Sequence, residues 1–183
     1  MGDEDLIRRV KQVVAPHLSA FSPSISVPEA FWGALTCNES GVYILRSVPC
    51  EKIQRREPNP ISQLCLLAAG FKPKLNLSTN NLIGELGELG EARRRASYHI
   101  EQMPIDVGAL VGLPLQMFVN YGSSWGFTQV MGYHALTWRD ITLDEIQQAR
   151  THYRCAARLM VTFCERYGLD PARDFEAMLR CWN

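Results

Sequence analysis

The chain has 183 residues, 46% apolar and 21% charged, enough for one domain with a hydrophobic core and unlike a disordered chain. Lys plus Arg equals Asp plus Glu at 19 each, so no net charge draws the molecule to nucleic acid or to an anionic membrane. No stretch is long and apolar enough to span a bilayer, and the opening MGDEDLIRRVKQVV lacks the basic and apolar regions of a secretory signal.

In chain order, residues 4–20 carry Leu6, Val10, Val13, Val14 and Leu18 at helical spacing, with Pro16 set to kink or shorten the helix. FSPSISVP is a loop. Pro28 then suits a first helical position, Phe31, Trp32 and Leu35 face a core, and Gly41 is the expected stop. Residues 42–60 mix β-formers with Pro49, Pro58 and Pro60, and predict a loop or small β excursion. A short helix is expected from Pro60 to about residue 69. Residues 78–97 hold Leu82, Leu86 and Leu89 at helical spacing, interrupted by Gly84, Gly87 and Gly90 and followed by Arg93, Arg94 and Arg95. Each glycine costs a helix about 1 kcal/mol relative to Ala.

Residues 104–121 suggest short helical turns on a core. The segment 141–170 is the clearest helix: Thr142 and Glu145 form a capping box, and Gly168 is the stop. Its stripe is Ile146, Ala149, Tyr153, Ala156, Met160, Phe163 and Tyr167. Asp170 and Pro171 open a last helix bearing Phe175, Met178, Leu179 and Trp182. Strand signals are few, so the fold class is mostly α with a possible small β element, an α+β arrangement.

Six cysteines, at 37, 50, 65, 155, 164 and 181, make no CxxC pair. Four lie in apolar helical contexts where a thiol serves as a small core residue; the even count leaves disulfides open. His17, His99, His134 and His152 are scattered, with no metal-ligand spacing.

Three stretches share one pattern. ALTCNESG ends an apolar helix on Glu39 and Ser40. SSWGFTQVMGYHA carries Trp125, Phe127, Gln129 and Met131. FEAMLRCWN closes on Trp182 and Asn183. In this order they resemble the motif set of lytic transglycosylases of the lysozyme-like superfamily: a helix ending in Glu-Ser, a Gly-Leu-Met-Gln-Val-Met segment, and an Ala-Tyr-Asn segment on a late helix. The match covers residues 28–43 and 121–183. Phe127 and Thr128 stand where Leu and Met are usual, Trp182 stands where Tyr is usual, and the interval after Ser40 is long. The resemblance implies one lysozyme-like domain over 1–183, with a helical core and residues 44–120 as an inserted lobe.

Cleaving a glycosidic bond requires an acid that protonates the leaving oxygen. A carboxyl group does so near neutral pH when apolar burial disfavours its anion. Glu39, after Phe31, Trp32 and Leu35 on one helix and near a helix C-terminus that opposes negative charge, suits that task. Without the other motifs it reads as an ordinary solvated helix-end residue. The resemblance implies peptidoglycan as substrate, the β-1,4 bond between N-acetylmuramic acid and N-acetylglucosamine as target, and Glu39 acting alone as acid and then base, with attack by the sugar 6-hydroxyl.

Gln129 is the implied sugar-binding amide. Ser40 would orient Glu39, Phe127 and Met131 would wall the sugar, Tyr121 and Trp125 would stack on it, and Trp182 and Asn183 would close the cleft; Gln129 also reads as a solvent-facing amide, Ser40 as a residue that bonds only backbone, and Phe127, Met131, Tyr121, Trp125 and Trp182 as core packing. Glu51, Glu101 and Asp106 are candidates for a second carboxylate, and a pair held roughly 5 to 9 Å apart would permit hydrolysis. No metal or organic cofactor is implied. The expected partner is the glycan strand, with no nucleic acid and no membrane insertion, and the expected state is a monomer. The place of action would be the bacterial wall or periplasm, reached by phage-encoded release or non-classical export. The rival reading is a non-catalytic peptidoglycan-binding or interaction module with the same fold.

Overall fold

A computed structural model describes residues 3–20, 27–70 and 103–182, without the side chains of 18–20. The glycine-punctuated segment 78–97, Arg93 to Arg95, His99, Glu101 and Asn183 lie outside the described residues. Among those described, the chain is mostly helical with one small antiparallel sheet.

Helix α1 (Asp3–Val14) starts on Asp3, Glu4 and Asp5, favourable charges at a helix N-terminus. Asp5 pairs with Arg8 and, at 3.3 Å, with Arg9. The helix tightens into a 3₁₀ turn over Ala15–Ala20 at Pro16, as a ring without an N–H dictates. Helix α2 (Glu29–Leu45) follows. Gly41 does not end it. That glycine is buried inside the helix, and a Cβ built on it would meet the Leu6 methyls at 3.5 Å. Four more residues follow Gly41 in the helix, so Glu39 stands within it and not at its C-terminus.

Strand β1 (Gln54–Arg56), β2 (Ser123–Trp125) and β3 (Val130–Met131) make a sheet in the order β1-β2-β3. Helix α3 (Pro58–Ala68) begins two residues before the expected Pro60, with Pro58 in its first turn. A 3₁₀ turn (Val107–Leu110) and helix α4 (Leu115–Tyr121) are the short turns expected of 104–121.

The expected long helix is two. Helix α5 (Leu143–Gln147) starts on the capping box: Thr142 Oγ1 accepts from Glu145 N at 3.3 Å, and Glu145 Oε2 accepts from Thr142 N at 2.8 Å. Gln148 is extended, and helix α6 (Ala149–Tyr167) then runs to Gly168, which is left-handed at φ 63°. The break leaves carbonyls without helical donors, and α6 side chains supply them: Thr151 Oγ1 donates to Glu145 O, and His152 Nδ1 lies 2.7 Å from Ile146 O. Tyr167 leaves the apolar stripe and is exposed. Helix α7 (Phe175–Trp182) starts four residues beyond Pro171. Asp170 and Asp174 side chains bind backbone N–H groups of the intervening turn.

Two compact units arise. One comprises residues 1–55, 125–130 and 141–183; the other comprises 56–124 and 131–140. The second unit thus starts twelve residues later than the expected lobe, and it takes in a second segment, residues 131–140. In the first unit Tyr153 is a hub of the core. Its ring meets Trp32 edge-on and Phe127 face-on, both at 6.4 Å, and its hydroxyl lies 2.7 Å from Thr36 Oγ1. In the second unit Leu64, Leu110, Phe118 and Tyr133 form the core. All six cysteines are free thiols.

Candidate active site

In the first unit, residues of the three sequence motifs meet at one turn, 126–129. Gly126 is left-handed at φ 69°, and a Cβ there would lie 2.6 Å from the His152 ring and 2.9 Å from Cys50 Sγ. Only glycine fits this position. Gln129 is also left-handed, at φ 59°, uncommon for a residue with a Cβ. Each of the four backbone N–H groups has a partner. Gly126 N donates to Ile53 O at 2.9 Å, Phe127 N to the Cys50 thiol, Thr128 N to His152 Nε2 at 3.0 Å, and Gln129 N to Gly126 O at 3.3 Å. Burial pushes the Cys50 thiol up to about 12, so it meets Phe127 as a neutral group.

Two other motifs reach this turn through its carbonyls. Ser40 Oγ, from α2, donates to Gly126 O at 3.2 Å. The Trp182 indole Nε1, from α7, donates to Thr128 O at 2.9 Å, while its ring meets Phe163 edge-on at 6.2 Å. Ser40 thus ties α2 to the turn, one residue from Glu39.

Glu39 is half-buried. Burial raises its pKa above the usual 4.5, against the opposing pull of a hydrogen bond from Asn38 Nδ2, 3.0 Å away, and of the Arg55 charge. The elevation comes from desolvation, since the helix end expected beside it lies further on.

No family model, curated protein or solved structure matches this chain. The geometry therefore carries the functional reading.

The remaining candidates divide. Gln129 is 7% exposed, and its Nε2 donates to Gly126 O at 2.8 Å, inside its own turn. Phe127 is buried against Tyr153. Met131 and Tyr121 belong to the second unit and pack on its core. Of the second-carboxylate candidates, Glu51 is exposed in the first unit, and Asp106 in the second unit accepts from Gly108 N at 2.9 Å, closing its own turn. Among the described residues, no group of three His, Cys, Asp or Glu side chains could hold a metal ion, and no helix is long and apolar enough to cross a membrane.

Sequence reasoning missed three residues of this neighbourhood. Asn38 touches the Glu39 carboxyl from the adjacent position. Arg55 acts on it from β1. His152, fully buried, grips Thr128. The available signal for His152 was its place among apolar residues on α6, where a lone histidine needs two polar partners.

Proposed function

We propose that this protein cleaves peptidoglycan glycan strands at the β-1,4 bond between N-acetylmuramic acid and N-acetylglucosamine, as a lytic transglycosylase or muramidase. The observation that carries this reading is the convergence of the Glu-Ser helix, the Gly-Phe-Thr-Gln turn and the final tryptophan through the Ser40–Gly126 and Trp182–Thr128 bonds. Residues far apart in sequence meet there, and the helix residue that does so, Ser40, follows directly on Glu39, a carboxyl group whose pKa is raised by burial. A left-handed Gln129 adds support, because strained backbone gathers at functional sites.

In this reading Glu39 enters the reaction protonated and gives its proton to the bridging oxygen as the bond to C1 breaks. It then takes the proton from the attacking hydroxyl. Attack by the 6-hydroxyl of the same sugar leaves a 1,6-anhydro end; attack by water leaves a reducing end. Ser40, one residue on, anchors the acid's helix to the turn. Trp182, Gln129 and Phe127 shape the turn from which the sugar would be held. Asn183 keeps only the role that the resemblance implies, while Tyr121 and Met131 pack on the core of the second unit and are left out of this reading.

The test is turbidity loss of purified peptidoglycan, with mass spectrometry of the products. Glu39→Gln should lower clearing by about 10²- to 10⁴-fold, the usual contribution of a positioned acid. Its thermal midpoint at pH 7 should not fall, because the substitution removes a partly desolvated charge. Absence of clearing by the wild type across pH 4 to 8 would remove the enzymatic reading. A non-catalytic glycan-binding or interaction module would then be favoured.

A further inference from the structure

His152 lies on α6 with its ring fully buried and never reaches a surface that a substrate could touch. Its Nδ1 faces Ile146 O at 2.7 Å, a carbonyl that only accepts, so Nδ1 carries the proton. Its Nε2 is then an acceptor, and it takes two bonds from one residue: Thr128 N at 3.0 Å and Thr128 Oγ1 at 2.9 Å. Thr128 is itself fully buried, and Gln129 follows it in the left-handed conformation.

At the carbonyl of the same residue, in the next peptide unit, Thr128 O receives the Trp182 indole. The ring of His152 also occupies the space that any side chain at position 126 would need. Thr128 is therefore pinned from two helices, α6 and α7, while Gly126 is pinned from α2.

We propose that His152 is the positioning residue of the candidate active site: it sets the conformation of the buried turn 126–129 through Thr128 without touching the glycan. The break between α5 and α6 belongs to the same device. It frees the Ile146 carbonyl from helical bonding, and that carbonyl selects the tautomer that leaves Nε2 open to Thr128. A histidine one turn away on an unbroken helix would lack this carbonyl partner. The inference rests on the glycan-cleaving reading of the site.

The decisive variants are Thr128→Val, which keeps the shape but loses the hydroxyl bond, and Thr128→Ser, which restores it. With peptidoglycan as substrate, Thr128→Val should raise KM about tenfold, as a small misplacement of binding groups does. It should leave kcat within roughly threefold and the pH profile in place, and Thr128→Ser should recover most of the KM. A merely structural bond would act differently, lowering the amount of active enzyme and hence kcat at unchanged KM. An unchanged KM in Thr128→Val overturns the proposal.

His152→Leu is the more direct change and risks misfolding, so a second measurement is made on the wild type and Thr128→Val. Amide hydrogen exchange at Thr128 and Gln129 should be slow in the wild type and at least tenfold faster in Thr128→Val, at equal global stability. If the wild type clears no peptidoglycan, the functional reading fails. The exchange experiment then still decides whether His152 holds the turn, and equal exchange in both proteins overturns that as well.

Discussion

Two charges and one hydrogen atom govern the site at the scale of single residues. Glu39 has a raised pKa chiefly because burial disfavours its anion, while Arg55 opposes that rise. Removing the Arg55 charge should therefore let the pKa climb further. If Glu39 is the acid proposed above, the alkaline limb of glycan cleavage follows loss of its proton and should move to higher pH in Arg55→Gln. A limb that moves down, or stays in place at low ionic strength, contradicts Glu39 as the acid. Gly126 is the second such residue. Alanine there meets a left-handed backbone, about 1 to 2 kcal/mol, and a contact of 2.6 Å with the His152 ring, for which overpacking adds about 1 to 3 kcal/mol. Gly126→Ala should thus cost about 2 to 5 kcal/mol in urea unfolding. A loss below about 1 kcal/mol would mean that the His152 ring is free to withdraw from the turn.

At the scale of elements, the sequence was legible where the signal is local. Pro16 interrupts the first helix, Thr142 and Glu145 form the capping box, and Gly168 ends α6, each through chemistry confined to a few neighbouring residues. It misled where tertiary packing outweighs local preference. Gly41 looked like a terminator, yet α2 runs through it because Leu6 of α1 packs over the position. Gln148 carried no breaker signal, yet the helix breaks there, and Thr151 and His152 bind the freed carbonyls. The three motifs could be read as a set from the resemblance alone. Their meeting at the Gly126 and Thr128 carbonyls could not, because those bonds join residues 86 and 54 positions apart. Gly41 gives the element-scale prediction. A Cβ there would find its nearest neighbours at 3.5 Å, ordinary contact, and Ala is favoured over Gly in a helix by about 1 kcal/mol. Gly41→Ala should stabilise the protein by up to about 1 kcal/mol, read as a higher urea midpoint at unchanged slope. A lower midpoint would show that α1 sits more tightly on α2 than the 3.5 Å contact allows.

For the molecule as a whole, these buried groups fix how stability answers to pH. Burial pushes His152 down to about 4 from the usual 6.5. Below pH 6.5 the unfolded chain takes up a proton at this residue and the folded chain does not, so stability falls as pH drops from about 6.5 to about 4. At 1.36 kcal/mol for each pH unit between the two values, the full effect is about 3 kcal/mol. Half-exposed His17, also lowered by burial, adds to the loss in the same direction. Asp5, lowered by its hydrogen bond with Arg8, contributes only below 3.8 and so lies outside this window. Glu39 acts the other way. Its raised pKa means that the folded chain holds the proton longer than the unfolded one, so stability falls as pH rises from 4.5 through the raised value. The two effects overlap in mild acid and partly cancel there, which makes Glu39→Gln the background in which the histidine effect stands alone. Urea unfolding of that variant at pH 7.0, 6.0, 5.0 and 4.5 should give a free energy that falls at every step, more steeply than in the wild type between 6.0 and 4.5. A flat curve in the variant would mean that His152 takes up its proton inside the fold, and with it would go the neutral acceptor that holds Thr128.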